Sequence, residues 1–337
     1  MKKVLHLLAS NKYSGAENVA CTIINNCTER FDMVYCSPRG DIERTLEKMN
    51  INFCGLKKLN VTNLNKIIKQ YKPDIIHAHD YKASVIAAFS SFKGKIISQL
   101  HNNDPLAKIW SLKSFLYSIT IRRYQRIIGV SQLVYDEAIF KNKMLDKFIV
   151  VYNFVDVNEV IKKSNEECHE KEYDVFFIGR LTKQKNPIFF IKIINQLKAR
   201  KPDIRAVMIG EGELKEDCID EIRRLKLDNQ VEMLGFLDNP FPVIKNCKVC
   251  IMPSLWEGFG ITAIESMILN KPVINSGVGG LKEIFKNKPD LVCQSLDDYC
   301  EKAIKYLDLQ DDYEDILKDY TNLPRWKKFY IEAYMED

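Results

Sequence analysis

Tyr173-Asp174-Val175-Phe176-Phe177-Ile178-Gly179-Arg180-Leu181-Thr182-Lys183-Gln184-Lys185-Asn186-Pro187 reads as a buried strand running into a loop with cations at its mouth and a helix beyond. Such a turn lies at the carboxyl end of a strand, where open α/β sheets bind their ligands. Arg180 offers a forked guanidinium and Lys185 a point charge, a pair suited to a diphosphate. Exposed cations at helix starts are also commonplace, so the stretch alone does not identify a ligand.

The same alternation extends in both directions. Apolar runs of strand length alternate with amphipathic segments of helix length along the 337 residues, the pattern of parallel sheets with crossover helices. Strands are predicted at 4–8, 33–36, 74–79, 95–100, 126–130 and 148–152, then at 174–178, 205–209, 231–234, 248–252, 272–275 and 290–293. Between the two series, residues 162–167 (Lys162-Lys163-Ser164-Asn165-Glu166-Glu167) read as the end of a connector. The length suits two domains, placed at 1–157 and 158–320, with a last helix over 321–337 that carries Trp326, Phe329, Tyr330 and Tyr334 at helical spacing.

A second loop of the same kind follows the strand at 248–252: Pro253-Ser254-Leu255-Trp256-Glu257-Gly258-Phe259-Gly260-Ile261-Thr262-Ala263-Ile264-Glu265. Its glycines let backbone N–H groups approach an anion at a helix N-terminus, and both glutamates can accept hydrogen bonds from paired hydroxyls. Glu257 and Glu265 are about two helical turns apart, within reach of one polyol. The competing reading makes Glu257 a partner of the helix dipole and Glu265 a solvated face residue.

Gly179-Arg180-Leu181 with Lys185-Asn186, Gly210-Glu211-Gly212, Pro253-Ser254 with Glu257-Gly258-Phe259-Gly260 and Glu265, and Gly279-Gly280 with Glu283 resemble, in order and spacing, the retaining glycosyltransferases of family four. In the N-terminal half, Ser14-Gly15-Ala16-Glu17 resembles the family's glycine-rich loop, with Ser14 where a second glycine is common. His77, His79 and His101 stand at family-like strand ends. The resemblance implies an α/β protein of GT-B architecture: two Rossmann-like domains facing each other across a cleft, the acceptor on the first, the donor on the second, and the last helix crossing back to the first. It implies a retaining transfer of a hexosyl or N-acetylhexosaminyl group from a nucleotide-sugar, UDP being the default, to a saccharide or lipid-linked acceptor in surface polysaccharide, capsule or lipopolysaccharide assembly. Arg180 and Lys185 would then bind the diphosphate, Glu265 the ribose, and Glu257 with the Gly258, Phe259, Gly260 and Ile261 backbone the transferred sugar. Gly15 would meet the donor phosphate, Phe236 the base, and His101 the reacting sugar.

No metal or cofactor is expected. The chain has no Asp-x-Asp, the metal-diphosphate anchor of the other main glycosyltransferase architecture. His77 and His79 are read as lying on opposite faces of an extended run, and Cys247-Lys248-Val249-Cys250 has no second pair, so its cysteines read as buried thiols. Ten scattered cysteines behind an N-terminus without an export-type leader suit a reducing cytoplasm.

Residues 1–150 carry a net charge of +11 and the remainder −6, so the first half points to an anionic partner. From Pro105 to Tyr135 there is no acidic residue, while Lys108, Lys113, Arg122, Arg123 and Arg126 alternate with Ile109, Trp110, Leu112, Phe115 and Ile119. A basic amphipathic helix over 105–126 suits peripheral contact with the inner face of an anionic membrane; the alternative is a helix that packs its apolar stripe on the sheet. Nucleic acid is not an expected partner, because the segment lacks interleaved stacking aromatics on a sheet. A nucleotide-sugar epimerase of the same architecture and a noncatalytic nucleic-acid-binding protein are the alternatives. A dinucleotide oxidoreductase is disfavoured, since residues 10–15 are not a Gly-x-Gly-x-x-Gly turn.

Overall fold

The computed structural model describes residues 1–166, 171–309 and 311–336. They form two compact units, the first comprising residues 1–154 together with the segment from Asn322 onward, the second Val155–Thr321.

Unit 1 is built on seven parallel strands: β1 (Lys2–Leu7), β2 (Phe31–Pro38), β3 (Phe53–Leu56), β4 (Ile75–His79), β5 (Lys95–Leu100), β6 (Arg126–Gly129) and β7 (Phe148–Val150). Their order is β3-β2-β1-β4-β5-β6-β7. The chain runs outward from β1 through β2 to β3, then returns to β4 on the other side of β1. The topological switch point therefore lies between β1 and β4, where an open sheet leaves a crevice beyond its carboxyl ends. Val4, Leu5, Ile76, Ile96 and Ile97 are fully buried, because a parallel sheet is covered on both faces; this is why these strands read as near-continuous apolar runs. The sequence reading does not include β3: Phe53-Cys54-Gly55-Leu56 is a short edge strand, and four residues of which only Leu56 is buried give little periodic signal.

The helix Leu323–Met335 belongs to unit 1. Asn322 caps it by accepting from the Arg325 N–H at 3.0 Å, and it buries Trp326, Tyr330 and Tyr334. The Tyr334 ring sits edge-on to Phe31 at 5.2 Å, and the Tyr330 hydroxyl accepts from Gln99 Nε2 at 2.9 Å.

Unit 2 has five parallel strands, β8 (Tyr173–Ile178), β9 (Ala206–Ile209), β10 (Val231–Gly235), β11 (Cys247–Met252) and β12 (Val273–Asn275), in the order β10-β9-β8-β11-β12. Its switch point lies between β8 and β11. The expected strand at 290–293 is instead a 3-10 turn, Pro289–Leu291, with a single bridge from Val292 to Asn275; Pro289 fixes φ for a turn and has no N–H for a ladder. The expected connector is partly helical. Lys162, Lys163 and Ser164 end the helix Val157–Ser164, which Asp156 caps by accepting from the Asn158 and Glu159 N–H groups, while Glu167 lies outside the described residues. The nine described cysteines are free, Cys247 and Cys250 being buried thiols; Cys168 lies outside the described residues.

Candidate functional site

Both sequence motifs of unit 2 lie on the loops leaving β8 and β11, on either side of the switch point. Asn186, in the left-handed region at φ 55°, caps the helix Pro187–Arg200, and its side chain donates to the Pro253 carbonyl at 3.3 Å. Gln184 Nε2 donates to the Trp256 carbonyl at 3.1 Å, and the Leu255 N–H donates to the Gln184 carbonyl at 2.8 Å. These three bonds fasten one loop to the other. They hold Lys185 Nζ 2.6 Å from Glu257 Oε2, with the Ser254 hydroxyl donating to the same oxygen at 3.2 Å. The two charged side chains are only 14% and 9% exposed, so this is a shielded, charge-assisted contact.

The sequence assigned Lys185 and Glu257 to different parts of a donor; the structure makes them one ion pair. Ser254 belongs to a motif of the sequence reading but carries no role there, and Gln184 is absent from it as a site residue, since no spacing rule marks a bond between residues 72 apart such as Gln184 and Trp256. Arg180 stands exposed at the loop's mouth, its guanidinium 3.3 Å from Gln184 Oε1.

Two glycines fix the backbone after Glu257. Gly260 caps the helix Ile261–Ile268 at φ 109°, and Gly279, at φ 55°, lies so close to the Glu257 carbonyl that a Cβ would stand 1.7 Å from its oxygen. The Gly280 N–H donates to that same carbonyl at 3.1 Å. The Phe259 ring is buried edge-on against Tyr320 at 5.2 Å. Glu265 is half-buried rather than fully solvated as in the competing reading, and this desolvation pushes its carboxyl up to about 7, with Lys163 opposing and Glu159 adding to the shift. Phe236, just after β10, is 60% exposed.

Within unit 1 stand Gly15 and His101, to which the family resemblance gives roles. Gly15 opens the helix Gly15–Cys27, and a Cβ on it would meet nothing within 4 Å, so internal packing does not require glycine there. His101 follows the last residue of β5; its N–H donates to Asp80 Oδ1 at 2.9 Å, and its Nε2 lies 2.8 Å from His79 Nδ1. His79 Nε2 lies in turn 3.1 Å from His6 Nδ1, and His77 Nδ1 lies 2.7 Å from the Tyr334 hydroxyl. The opposite-face reading of His77 and His79 is wrong: residues i and i+2 of a strand share a face, and the two rings stack at 4.4 Å. His6 pairs in register with His77, and nitrogens of His6, His77 and His79 lie within 4.8 Å of one another. Burial favours the neutral imidazole throughout, lowering His6 to about 3 and His77 and His79 well below their usual value. His101 is lowered too, chiefly by burial and against the opposing charge of Asp80.

The basic segment is not the continuous helix expected over 105–126. It breaks into a 3-10 turn Pro105–Ala107, the helix Leu112–Thr120, a second 3-10 turn Ile121–Arg123, and β6 from Arg126. The helix also faces the other way from the packing alternative: Ser114, Tyr117, Ser118 and Thr120 are buried, while Leu106, Ile109, Trp110, Leu112, Phe115 and Ile119 are exposed. Lys108 pairs with Glu137 at 2.7 Å and Lys113 with Asp104, so cations rim this apolar surface. No helix among the described residues is long and apolar enough to cross a membrane.

Two family models match consecutive parts of the chain: Glycosyltransferase Family 4 over residues 13–159 and Glycosyl transferases group 1 over 158–321. An uncharacterised glycosyltransferase of Methanocaldococcus jannaschii is 30% identical over 236 residues, 63% of this chain and 57% of its own length, so the match spans little more than half of that relative. The Escherichia coli O-antigen biosynthesis glycosyltransferase WclY is 24% identical over 88% of this chain and 84% of its own. A Campylobacter jejuni α-1,4-N-acetyl-D-galactosaminyltransferase, named for an undecaprenol diphosphate-linked saccharide, is 25% identical over 100% of this chain and 97% of its own. Among solved structures, Anabaena HepE in complex with UDP and glucose shares the fold with a TM-score of 0.85 at 19% identity, covering 100% of both chains.

Proposed function

Because the chain belongs to the group 1 and family 4 glycosyltransferases, we propose that it moves a hexosyl or N-acetylhexosaminyl group from a UDP-sugar to a hydroxyl of a lipid-linked saccharide during surface polysaccharide assembly, with retention at the anomeric carbon. The observation that carries the donor half is the shielded Lys185–Glu257 pair at the unit 2 switch point, with Arg180 beside it. Breaking the sugar–phosphate bond leaves negative charge on the diphosphate, and cations already held in place stabilise it without reorganising. Lys185 is shared between Glu257 and the phosphate, Glu257 with the Gly258–Ile261 backbone holds the sugar hydroxyls, Glu265 the ribose, and Phe236 the base. Gly15 and His101 serve the transfer from unit 1. The bound UDP and glucose of HepE support the nucleotide, the Campylobacter relative's name supports the acceptor, and WclY supports the setting.

The test is thermal stabilisation by UDP, UDP-sugars and other nucleotides in the presence of chelator, since a ligand of the folded state raises Tm by mass action. UDP compounds are expected to stabilise selectively, and the gain carries a pH signature. Glu265 holds its proton up to about pH 7, whereas ribose hydroxyls donate best to the ionised carboxylate, so UDP affinity rises from pH 6 to pH 8. Glu265→Gln flattens that rise; the nucleotide's own phosphate titration is common to both proteins. No UDP response at any pH would remove the donor reading.

The outward apolar face of Leu112–Thr120 supports peripheral membrane contact at the acceptor side. Replacing Ile109, Trp110 and Phe115 together with serine is expected to lower the partition onto anionic vesicles by at least about tenfold, at ~0.8 kcal/mol per buried CH₂, with Tm unchanged because these side chains are already in solvent. Equal sedimentation of both proteins with vesicles would refute it.

A further inference from the structure

Gln184 joins Arg180 to the loop that leaves β11, and it uses both ends of its side-chain amide to do so. Its Nε2 donates to the Trp256 carbonyl at 3.1 Å, while its Oε1 accepts from a guanidinium N–H of Arg180 at 3.3 Å. Its backbone carbonyl accepts from the Leu255 N–H at 2.8 Å, so main chain and side chain are both tied to the same loop. Gln184 is buried, at 8% exposure, whereas the arginine that it bonds stands exposed.

These two partners leave the amide one orientation. A carbonyl oxygen only accepts and a guanidinium only donates, so turning the amide over would set oxygen against oxygen and N–H against N–H. At a residue this buried, little water is at hand to relieve either mismatch. The Trp256 carbonyl therefore dictates that Gln184 presents its oxygen to Arg180. Confining a long arginine side chain costs rotamer entropy, and a partner already held in place meets that cost before any ligand arrives.

The partner is also uncharged. Lys185 shares its charge with Glu257, but among the described residues no carboxylate pairs with Arg180. A neutral acceptor orients the guanidinium and leaves its whole charge for an anion; a carboxylate in the same place would offset it.

We infer that Gln184 is a positioning residue, which holds the Arg180 guanidinium, its charge uncompensated, for the diphosphate of the donor. The inference rests on the reading that Arg180 binds that diphosphate. The other use of Gln184 is to fasten the two loops through Trp256 and Leu255, with no bearing on Arg180. In that case loss of its side chain harms the site equally whether or not Arg180 is present.

A double-mutant cycle of Gln184→Met and Arg180→Ala on the full chain separates the two uses, read as the Kd for UDP by titration calorimetry in the presence of chelator. Methionine keeps the unbranched length of glutamine but has no N–H and only a weakly accepting sulfur. Alone, Gln184→Met is expected to weaken UDP binding about tenfold, the scale of one hydrogen bond. In the Arg180→Ala background the same change is expected to shift Kd by less than about twofold, the scatter of independent sites. Equal losses in both backgrounds, or an unchanged Kd in Gln184→Met alone, would each overturn the inference. If Arg180→Ala binds UDP as the wild type does, the inference falls while the donor reading stands on Lys185; if the wild type binds no UDP, both fall. Should Gln184→Met not fold, ¹⁵N relaxation of the arginine Nε–H groups in the unliganded wild type decides. Arg180 is expected to be more ordered than the exposed Arg44, and equal mobility of the two would overturn the inference.

Discussion

Lys185→Ala is expected to lower kcat/KM for the UDP-sugar by between about tenfold and a hundredfold or more, the 1.5–3 kcal/mol scale of a hydrogen bond to a charged group, and to lower stability as well. The second effect follows from the pairing. Removing the lysine leaves the Glu257 carboxylate in a nearly closed site with Ser254 as its neighbour, and an uncompensated buried charge costs about 3 kcal/mol or more. Lys185→Ala combined with Glu257→Gln takes away the stranded charge, so most of the stability returns while transfer stays low. Urea unfolding of the four proteins in this cycle, with initial rates on the same preparations, separates the two roles. Additive losses of stability would mean that the two side chains do not depend on each other, and a double variant with normal turnover would remove both from the chemistry.

Tyr334→Ala should produce the largest loss of stability of any single change in unit 1, about 4 kcal/mol. Its ring has no exposure, packs edge-on against Phe31, and bonds His77, so truncation opens a cavity and strands a buried nitrogen together. Tyr334→Phe keeps the ring and loses only the hydroxyl; it should cost about 1 kcal/mol, and it folds if the alanine variant does not. Denaturant midpoints give both values. A Tyr334→Ala protein within 1 kcal/mol of wild type would show that the helix Leu323–Met335 is not part of the unit 1 core.

What the sequence discloses and what it withholds have physical causes. A parallel strand buried on both faces is a run of apolar residues, so β1, β5, β8 and β11 announce themselves, and the loops beyond β8 and β11 then fall at a sheet's carboxyl edge by topology alone. β3 did not show because an edge strand of four residues has no such run, and 290–293 was overestimated because Pro289 turns an apolar segment away from the ladder. In the candidate site, single residues were legible through their chemical type: Arg180, Lys185, Glu257, Glu265. Their relations were not. That Lys185 meets Glu257, or that His79 joins His6 to His101, depends on which strands are neighbours, and a linear pattern does not contain that order. The outward face of Leu112–Thr120 was hidden for a different reason: apart from Tyr117 its buried residues are Ser and Thr while Leu112, Phe115 and Ile119 are exposed, and periodicity reports only where the apolar residues fall.

The return of Leu323–Met335 to unit 1 makes the order of synthesis matter. Residues 1–154 leave the ribosome with the bed for Trp326, Tyr330 and Tyr334 unfilled, and it stays so while the whole of unit 2 is made. Unit 2, contiguous in sequence, can complete itself first. A nascent chain stalled anywhere before Asn322 therefore carries a finished second unit joined to a first that still shows His77 and Phe31 to solvent, a state that chaperones and proteases can tell apart from the full-length protein by its open apolar surface.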